Sequence, residues 1–254
     1  MALPVAFELV RKTETRSDPK TGQTKRYSAV TKNQHARSML GQCVRNGIPF
    51  RYVLGDSWYA SAENLKFIKH QFSNIANSAN SANGYDFVMP LKSNRKVALS
   101  RDEQQSGHSV SVETLMKEQI VVREVWLEGV DFPMLLVKQV FTNEDGSTGI
   151  LYLVSSDTTL TSEAITSLYQ RRWKVEEYHK SLKQNASLAK SPTRTVTTQT
   201  NHFFASLYAY IKLQRLKLKT SLNHFALKTK IYVSALHSAF VELQRMQTNA
   251  APAA

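Results

Sequence analysis

From 161 to 187 the chain contains neither proline nor glycine. A run of that length without a breaker predicts one helix, because strands in globular domains seldom exceed about ten residues. Thr161 can serve as N-cap and Glu163 suits the positive end of the helix dipole, while Pro192 stands just beyond the far end. At 100° per residue, Leu168, Val175 and Leu182 fall within about 40° of one another, so that stripe is expected to face the core. Tyr169, Arg172, Glu176 and Lys183 form a second stripe within about 60°, centred about 90° from the first. Such a helix buries one side and holds a carboxylate between an arginine and a lysine on the next. A carboxylate in a basic setting can bind a divalent ion, set against a phosphate held by the cations. The same residues also suit a solvated face with i, i+4 charge pairs, and both readings stay open on spacing alone.

Net charge narrows the partners. The 254 residues carry a formal charge of +13, which points to a polyanion, nucleic acid first and an anionic membrane surface second. With 42% hydrophobic and 21% charged residues the composition is globular, with room for one large domain or two small ones. No apolar run approaches the length needed to cross a bilayer. The start Met1-Ala2-Leu3-Pro4-Val5 lacks the pattern of a secretory signal. Cys43 is the single cysteine; it fits a reducing cytoplasm and reads as a small core residue. The seven histidines are scattered, with no zinc-type spacing.

Along the chain, residues 3–10 set Leu3, Val5, Phe7 and Leu9 against Pro4, Ala6, Glu8 and Val10, which predicts a strand. Turn signals at Asp18-Pro19 and Thr21-Gly22 lead to a short strand over 27–30. Thr31 caps a helix over 32–45 that closes at Asn46-Gly47. An apolar strand over 49–55 then runs into Asp56-Ser57-Trp58-Tyr59. Ligand chemistry gathers at the carboxyl ends of parallel strands, although an Asp there also serves as a turn or cap residue. A helix over 61–72, a low-complexity loop over 73–84 and a strand over 86–91 follow, the last ending in the basic Lys92-Ser93-Asn94-Arg95-Lys96. Residues 97–155 are β-rich, with strands expected over 119–127, 134–142 and 149–155. Two more helices are expected over 201–219 and 228–246, ahead of a frayed tail at 250–254.

Tyr169, Arg172, Glu176 and Lys183 stand in the order Y-x-x-R-x-x-x-E-x-x-x-x-x-x-K. The pattern resembles the signature helix of DDE transposases of bacterial insertion sequences. Trp173 directly after Arg172 fits that family, as does Asp56-Ser57-Trp58-Tyr59 after a strand. The resemblance covers nearly the whole chain, to about Met246. It implies an α/β fold with a ribonuclease-H-like catalytic core, a β-rich insertion and a helical C-terminal region. The implied boundaries are 1–96 for a partial core, 97–155 for the insertion, 156–190 for the core helix with Glu176, and 191–254 for the C-terminal helices. The implied activity is cut-and-paste DNA transposition, with metal-dependent strand cleavage and transfer at the element's ends. By carry-over, Asp56 and Glu176 are catalytic metal ligands for Mg²⁺ or Mn²⁺, two ions roughly 3.5–4 Å apart in the complete enzyme. Arg172 and Lys183 contact DNA phosphates, Tyr169 orients that strand, and Trp173, Trp58 and Tyr59 stack on an unpaired base or simply pack. The implied partners are double-stranded DNA, as element ends and target, and a second copy in a synaptic homodimer, with no membrane. The implied location is the bacterial cytoplasm, at the nucleoid.

One family residue has no match. The first catalytic Asp belongs on the first strand of that fold, whereas Glu8 falls in mid-strand and Asp18 in a polar loop. The expectation is a C-terminal portion of a transposase, its core lacking the first strand or strands, and inactive alone. The strand over 49–55 then loses a neighbour and becomes an edge. Two other readings remain: a non-catalytic DNA-binding remnant that interferes with a full-length transposase, and, more distantly, a nuclease of the same fold.

Overall fold

Strand β4 (Asp86–Leu91) is buried along its whole length, and one sheet is built around it. The computed structural model describes residues 2–19, 21–71, 84–117, 122–191 and 194–249. The expected loop at 73–84 (apart from Gly84), the first three residues of the strand expected over 119–127, Pro192 and the tail at 250–254 lie outside the described residues. The chain divides into two units, Val5–Trp173 on the one hand and Met1–Pro4 with Lys174–Ala254 on the other.

The larger unit opens without the strand expected over 3–10. Those residues join no ladder, and their alternation in burial slips between Ala6 and Phe7, both partly buried. The first pairing is instead a two-stranded hairpin of β1 (Glu14–Ser17) and β2 (Thr24–Tyr27), closed by the Gly22 N–H donating to the Asp18 carbonyl at 2.8 Å. That hairpin also replaces the strand expected over 27–30. Alternation reports a half-buried extended chain; whether it becomes a strand depends on a neighbour that local sequence does not specify. Helix α1 (Lys32–Arg45) matches its prediction, because Thr31 and Gln34 complete a reciprocal capping box and Gly47 supplies a φ of 65° beyond the other end. Strand β3 (Tyr52–Leu54) is shorter than expected and lies parallel to β4. Helix α2 (Ala62–Lys66), capped by Ser61, continues as a π turn over Phe67–Gln71.

The remainder of this unit holds β5 (Lys96–Ala98), α3 (Arg101–Gln105), β6 (Val110–Ser111), α4 (Val112–Leu115), β7 (Val122–Leu127), β8 (Met134–Thr142) and β9 (Thr148–Ser155). The sheet order is β3-β4-β9-β8-β7-β5-β6, with β3–β4 its parallel pair. Successive residues of β4 point to opposite faces. Phe87, Met89 and Leu91 meet Leu65, Ile68, Met134, Leu136 and Val154 on one face. Val88 meets Val137, Leu153 and Ile165 on the other. Both faces are therefore covered, and β4 reads as a continuous apolar run. Pro90 is tolerated there because β3 pairs only with Asp86, Phe87 and Val88, so no ladder bond to β3 is required of its missing N–H. Among the described residues β3 has a neighbour on one side alone, which makes it an edge.

Helix α5 (Ser162–Gln170) covers the second face through Ile165, Leu168 and Tyr169. The single helix expected over 161–187 is in fact two. The Arg171 and Arg172 N–H groups donate to Leu168 and Tyr169 carbonyls at 3.1 and 2.9 Å, an i→i+3 tightening that ends α5 without proline or glycine. Helix α6 (Trp173–Asn185) starts afresh. The stripe reckoned over one continuous helix therefore does not hold: Leu182 is buried, but Val175 is 44% exposed.

In the smaller unit, α6 is followed by α7 (Val196–Thr220), capped by Thr195, and α8 (His224–Asn249), with Ser221 left-handed between them. Both helices are longer than predicted. Tyr210 packs edge-on against Tyr178 and His224, its hydroxyl donates to the Ala2 carbonyl at 3.0 Å, and burial pushes the Tyr178 phenol up to about 12.

Candidate active site

Asp56 lies two residues beyond Leu54, at the carboxyl end of the parallel β3–β4 pair. Its side chain shapes its own turn: Oδ1 accepts the Trp58 N–H at 2.8 Å, and its carbonyl accepts the Tyr59 N–H at 3.0 Å. The turn role weighed in the sequence is thus present, while Oδ2 has no hydrogen-bond partner among the described residues and the residue is exposed. Two phenols register its charge. Burial pushes Tyr59 above the ordinary tyrosine range, and Asp56 adds to the push. Burial also raises Tyr169; the Arg172 charge and hydrogen bond oppose this, and Asp56 reinforces it. The Arg172 guanidinium stands 5.5 Å from the Tyr169 ring centre. Asp56, Tyr59, Tyr169 and Arg172 therefore share one electrostatic neighbourhood of the larger unit.

Two aromatic side chains stand out of that unit into solvent. Trp173 is 65% exposed and, with Tyr169, Arg172 and Phe141, lines a cavity of about 570 Å³. Trp58 is 62% exposed, with the Lys32 ammonium 5.9 Å from its ring. It borders an open groove of about 720 Å³ shared with Lys12, Lys25, Arg26, Tyr27 and Lys32. A second hollow, on which Lys92 and Arg95 open, adjoins the same ring. Lys25 is tied to Asp18 at 3.0 Å, whereas Lys12, Arg26 and Lys32 have no ion pair among the described residues. Cations around a protruding aromatic ring suit a phosphate backbone with its bases. Sequence inspection picked out Trp58 and the 92–96 run but not Lys12, Arg26 or Lys32, which come from separate elements and form no local cluster.

In the smaller unit Glu176 occupies the first turn of α6 and Lys183 the last. Both are exposed, and seven residues place them on one face of α6. Lys174 pairs with Glu177 at 2.9 Å on the same helix.

A second acidic group at the opposite end of β3 and β4 was not foreseen. Asp86, 2% exposed, takes Lys69 and the Ser156 hydroxyl at 2.7 Å and Arg51 at 2.9 Å. Asp157 accepts from the Tyr52 hydroxyl at 2.8 Å, from Thr159 and from Arg51. Their oxygens are engaged, which makes this a structural knot and not a place for an ion. Among the described residues no three His, Cys, Asp or Glu side chains gather in a metal-binding group.

A family model described as Transposase DDE domain matches residues 8–212. No curated protein matches the chain.

Proposed function

The chain belongs to the DDE transposase family, and from that premise we propose that it acts on DNA in transposition through Asp56 and Glu176 as metal-binding carboxylates. The observation that carries the reading is Asp56: an exposed carboxylate with an uncommitted oxygen, at the carboxyl end of a parallel strand, near Tyr169 and Arg172. Carboxylate oxygens suit a hard divalent ion, so the donors fit Mg²⁺ or Mn²⁺. Asp56 and Glu176 would hold such ions, two in the complete enzyme, and when bound these would activate the attacking oxygen and stabilise the leaving one in displacement at phosphorus. The chain's own residues position the strand. Arg172 and Lys183 hold phosphates, Tyr169 sets the approach of the backbone, and Trp173 and Trp58 offer stacking faces. In this reading the core is ribonuclease-H-like, with 97–155 as insertion, 156–190 as the helix bearing Glu176 and 191–254 as the C-terminal helices. Two copies meet in the synaptic complex, at the nucleoid of a bacterial cell. No helix among the described residues is long and apolar enough to cross a membrane.

The edge of β3, unpaired on one side among the described residues, supports a more specific version. A further strand bearing the first Asp belongs beside β3, where a cavity of about 280 Å³ is lined by Val5, Met39, Leu40, Cys43, Leu54 and Met89. Without it, the chain binds element ends but does not transfer strands. The second reading, a DNA-binding remnant that interferes with an intact transposase, then follows from the same gap. The test is incubation of the chain with labelled DNA carrying the element's terminal repeats and Mg²⁺ or Mn²⁺. Retardation without cleavage supports this version, and added chain should lower cleavage by the intact enzyme. Cleavage by the chain alone, abolished by Asp56→Ala, would reject inactivity but keep the carboxylate assignment. No retardation would reject DNA as the partner.

A further inference from the structure

Helices α6 and α7, the start of α8 and Ala2 form a cavity of about 470 Å³ in the smaller unit, the size of a small-molecule site. His224 lines it, is 9% exposed, and has no hydrogen-bond partner at Nε2. Buried ring nitrogens are normally paired, since otherwise the hydration lost on folding is not replaced. The cavity lies on the far side of α6 from Glu176 and Lys183. At 100° per residue, Lys174, Tyr178, Ser181 and Asn185 of its wall fall within about 60° of one another, and Glu176 and Lys183 lie about 180° away. A DNA strand laid along the Glu176 face therefore does not enter it.

Three features give the cavity one chemistry. The first is the His224 proton. Ser181 Oγ lies 2.8 Å from Nδ1 and accepts the Asn185 amide at 3.1 Å. Among the described residues Nδ1 is then the acceptor for the hydroxyl hydrogen, and a neutral ring keeps its own hydrogen on Nε2. The ring is neutral near pH 7 because burial pushes it below the ordinary histidine range, and the Lys217 charge adds to this. The second feature is uncommitted positive charge. Glu177, the acid in the wall, is held by Lys174 at 2.9 Å, whereas Lys180 and Lys217 also line the cavity and have no ion pair among the described residues. The third is the first turn of α8. Asn223 Oδ1 caps that helix by accepting the Ala226 N–H at 2.9 Å, and the positive end of its dipole favours an anion beside Asn223, His224 and Phe225.

We propose that the cavity binds the phosphate group of a small molecule, held by the Nε2–H of His224, the Lys217 ammonium and the start of α8. A neutral ligand would leave the ammonium groups without a counter-charge, and a cation would meet like charge. A phosphate brings negative charge and several acceptor oxygens to donors that lack acceptors. The site stands apart from the proposed function: it uses neither Asp56 nor Glu176 and needs neither DNA nor a divalent ion.

Inorganic phosphate is the probe, titrated into the full chain near neutral pH without DNA or divalent ion. Ring nitrogen–proton correlation spectra should place the His224 proton on Nε2. Phosphate should shift that resonance along a saturable single-site curve while the other histidines move little. His224→Phe keeps a ring against Tyr210 and removes the donor; Lys217→Met removes the charge. Each should weaken phosphate by about tenfold or more in calorimetry. Circular dichroism reports whether each variant folds, and the spectra of the unaltered chain decide the matter if one does not. A proton on Nδ1, a shift that does not saturate, or an affinity unchanged in both variants overturns the proposal. Displacement of phosphate from the His224 resonance by a short DNA duplex would make the phosphate that of a DNA backbone and reject a small ligand.

Discussion

Asp86 ties together side chains from three separate parts of the larger unit. It is almost fully enclosed and holds Arg51, Lys69 and Ser156 together at the start of β4. Removing one member of a buried ion cluster costs about 3–5 kcal/mol. Arg51 and Lys69 keep about a third of their side-chain surface in water, which favours the lower end of that range. Asp86→Ala should therefore lower the free energy of unfolding by about 3 kcal/mol, read from a urea titration. An unchanged midpoint would remove the knot from the list of what stabilises the sheet. Neighbouring Asp157 sets an acid limit. Burial pushes its carboxyl up, but hydrogen bonds from Thr159, Tyr52 and Arg51 outweigh this and leave it below the ordinary range. A carboxyl lowered in the folded state stabilises the fold above its unfolded value, about 4, and that contribution disappears as pH falls through the folded value. Stability should fall as pH drops below about 4, and Asp157→Asn should flatten that part of the profile. Neither acid stood out in the sequence, because an Asp at the start of a strand (Asp86) or just past the end of one (Asp157) looks like an ordinary turn residue until its partners are placed around it.

At the scale of elements, what could be read in advance was what neighbouring residues decide. Helix α1 needs only its Thr31–Gln34 box and its closing glycine, and β8 begins and ends where its own apolar pattern does. Residues 3–10 show the opposite: no ladder beside them, and Leu3 and Val5 exposed where the pattern put them with the partly buried Phe7 and Leu9. The break between α5 and α6 was hidden because i→i+3 bonds made it where neither proline nor glycine gave warning. At the site, Asp56 and the aromatic residues after it were legible as a local string, whereas the groove cations come from distant elements. The edge of β3 has its own consequence. Alternate amides of an edge strand face away from its single neighbour. Those amides of β3 should exchange with deuterium at rates near those of an unstructured chain, while the inward ones and β4 stay protected. Uniform protection across β3 would mean that the edge is covered in solution.

For the whole molecule, the charge of +13 predicts that duplex affinity falls steeply with salt. Arg172→Ala and Lys183→Ala should each weaken binding evenly across sequences and reduce the log–log slope by about one. A slope near zero would redirect the search to a protein or membrane partner. The central claim is that Asp56 and Glu176 serve one divalent ion. Iron-directed cleavage tests it directly, since Fe²⁺ takes the place of Mg²⁺ and generates hydroxyl radicals that cut the backbone only near the bound ion. Incubated with Fe²⁺ and ascorbate, the chain should be cut both near residue 56 and near residue 176. Both cuts should fade with excess Mg²⁺ and disappear together in Asp56→Ala. Cuts near one of these residues alone, or a cut near residue 176 that survives Asp56→Ala, would contradict a shared site.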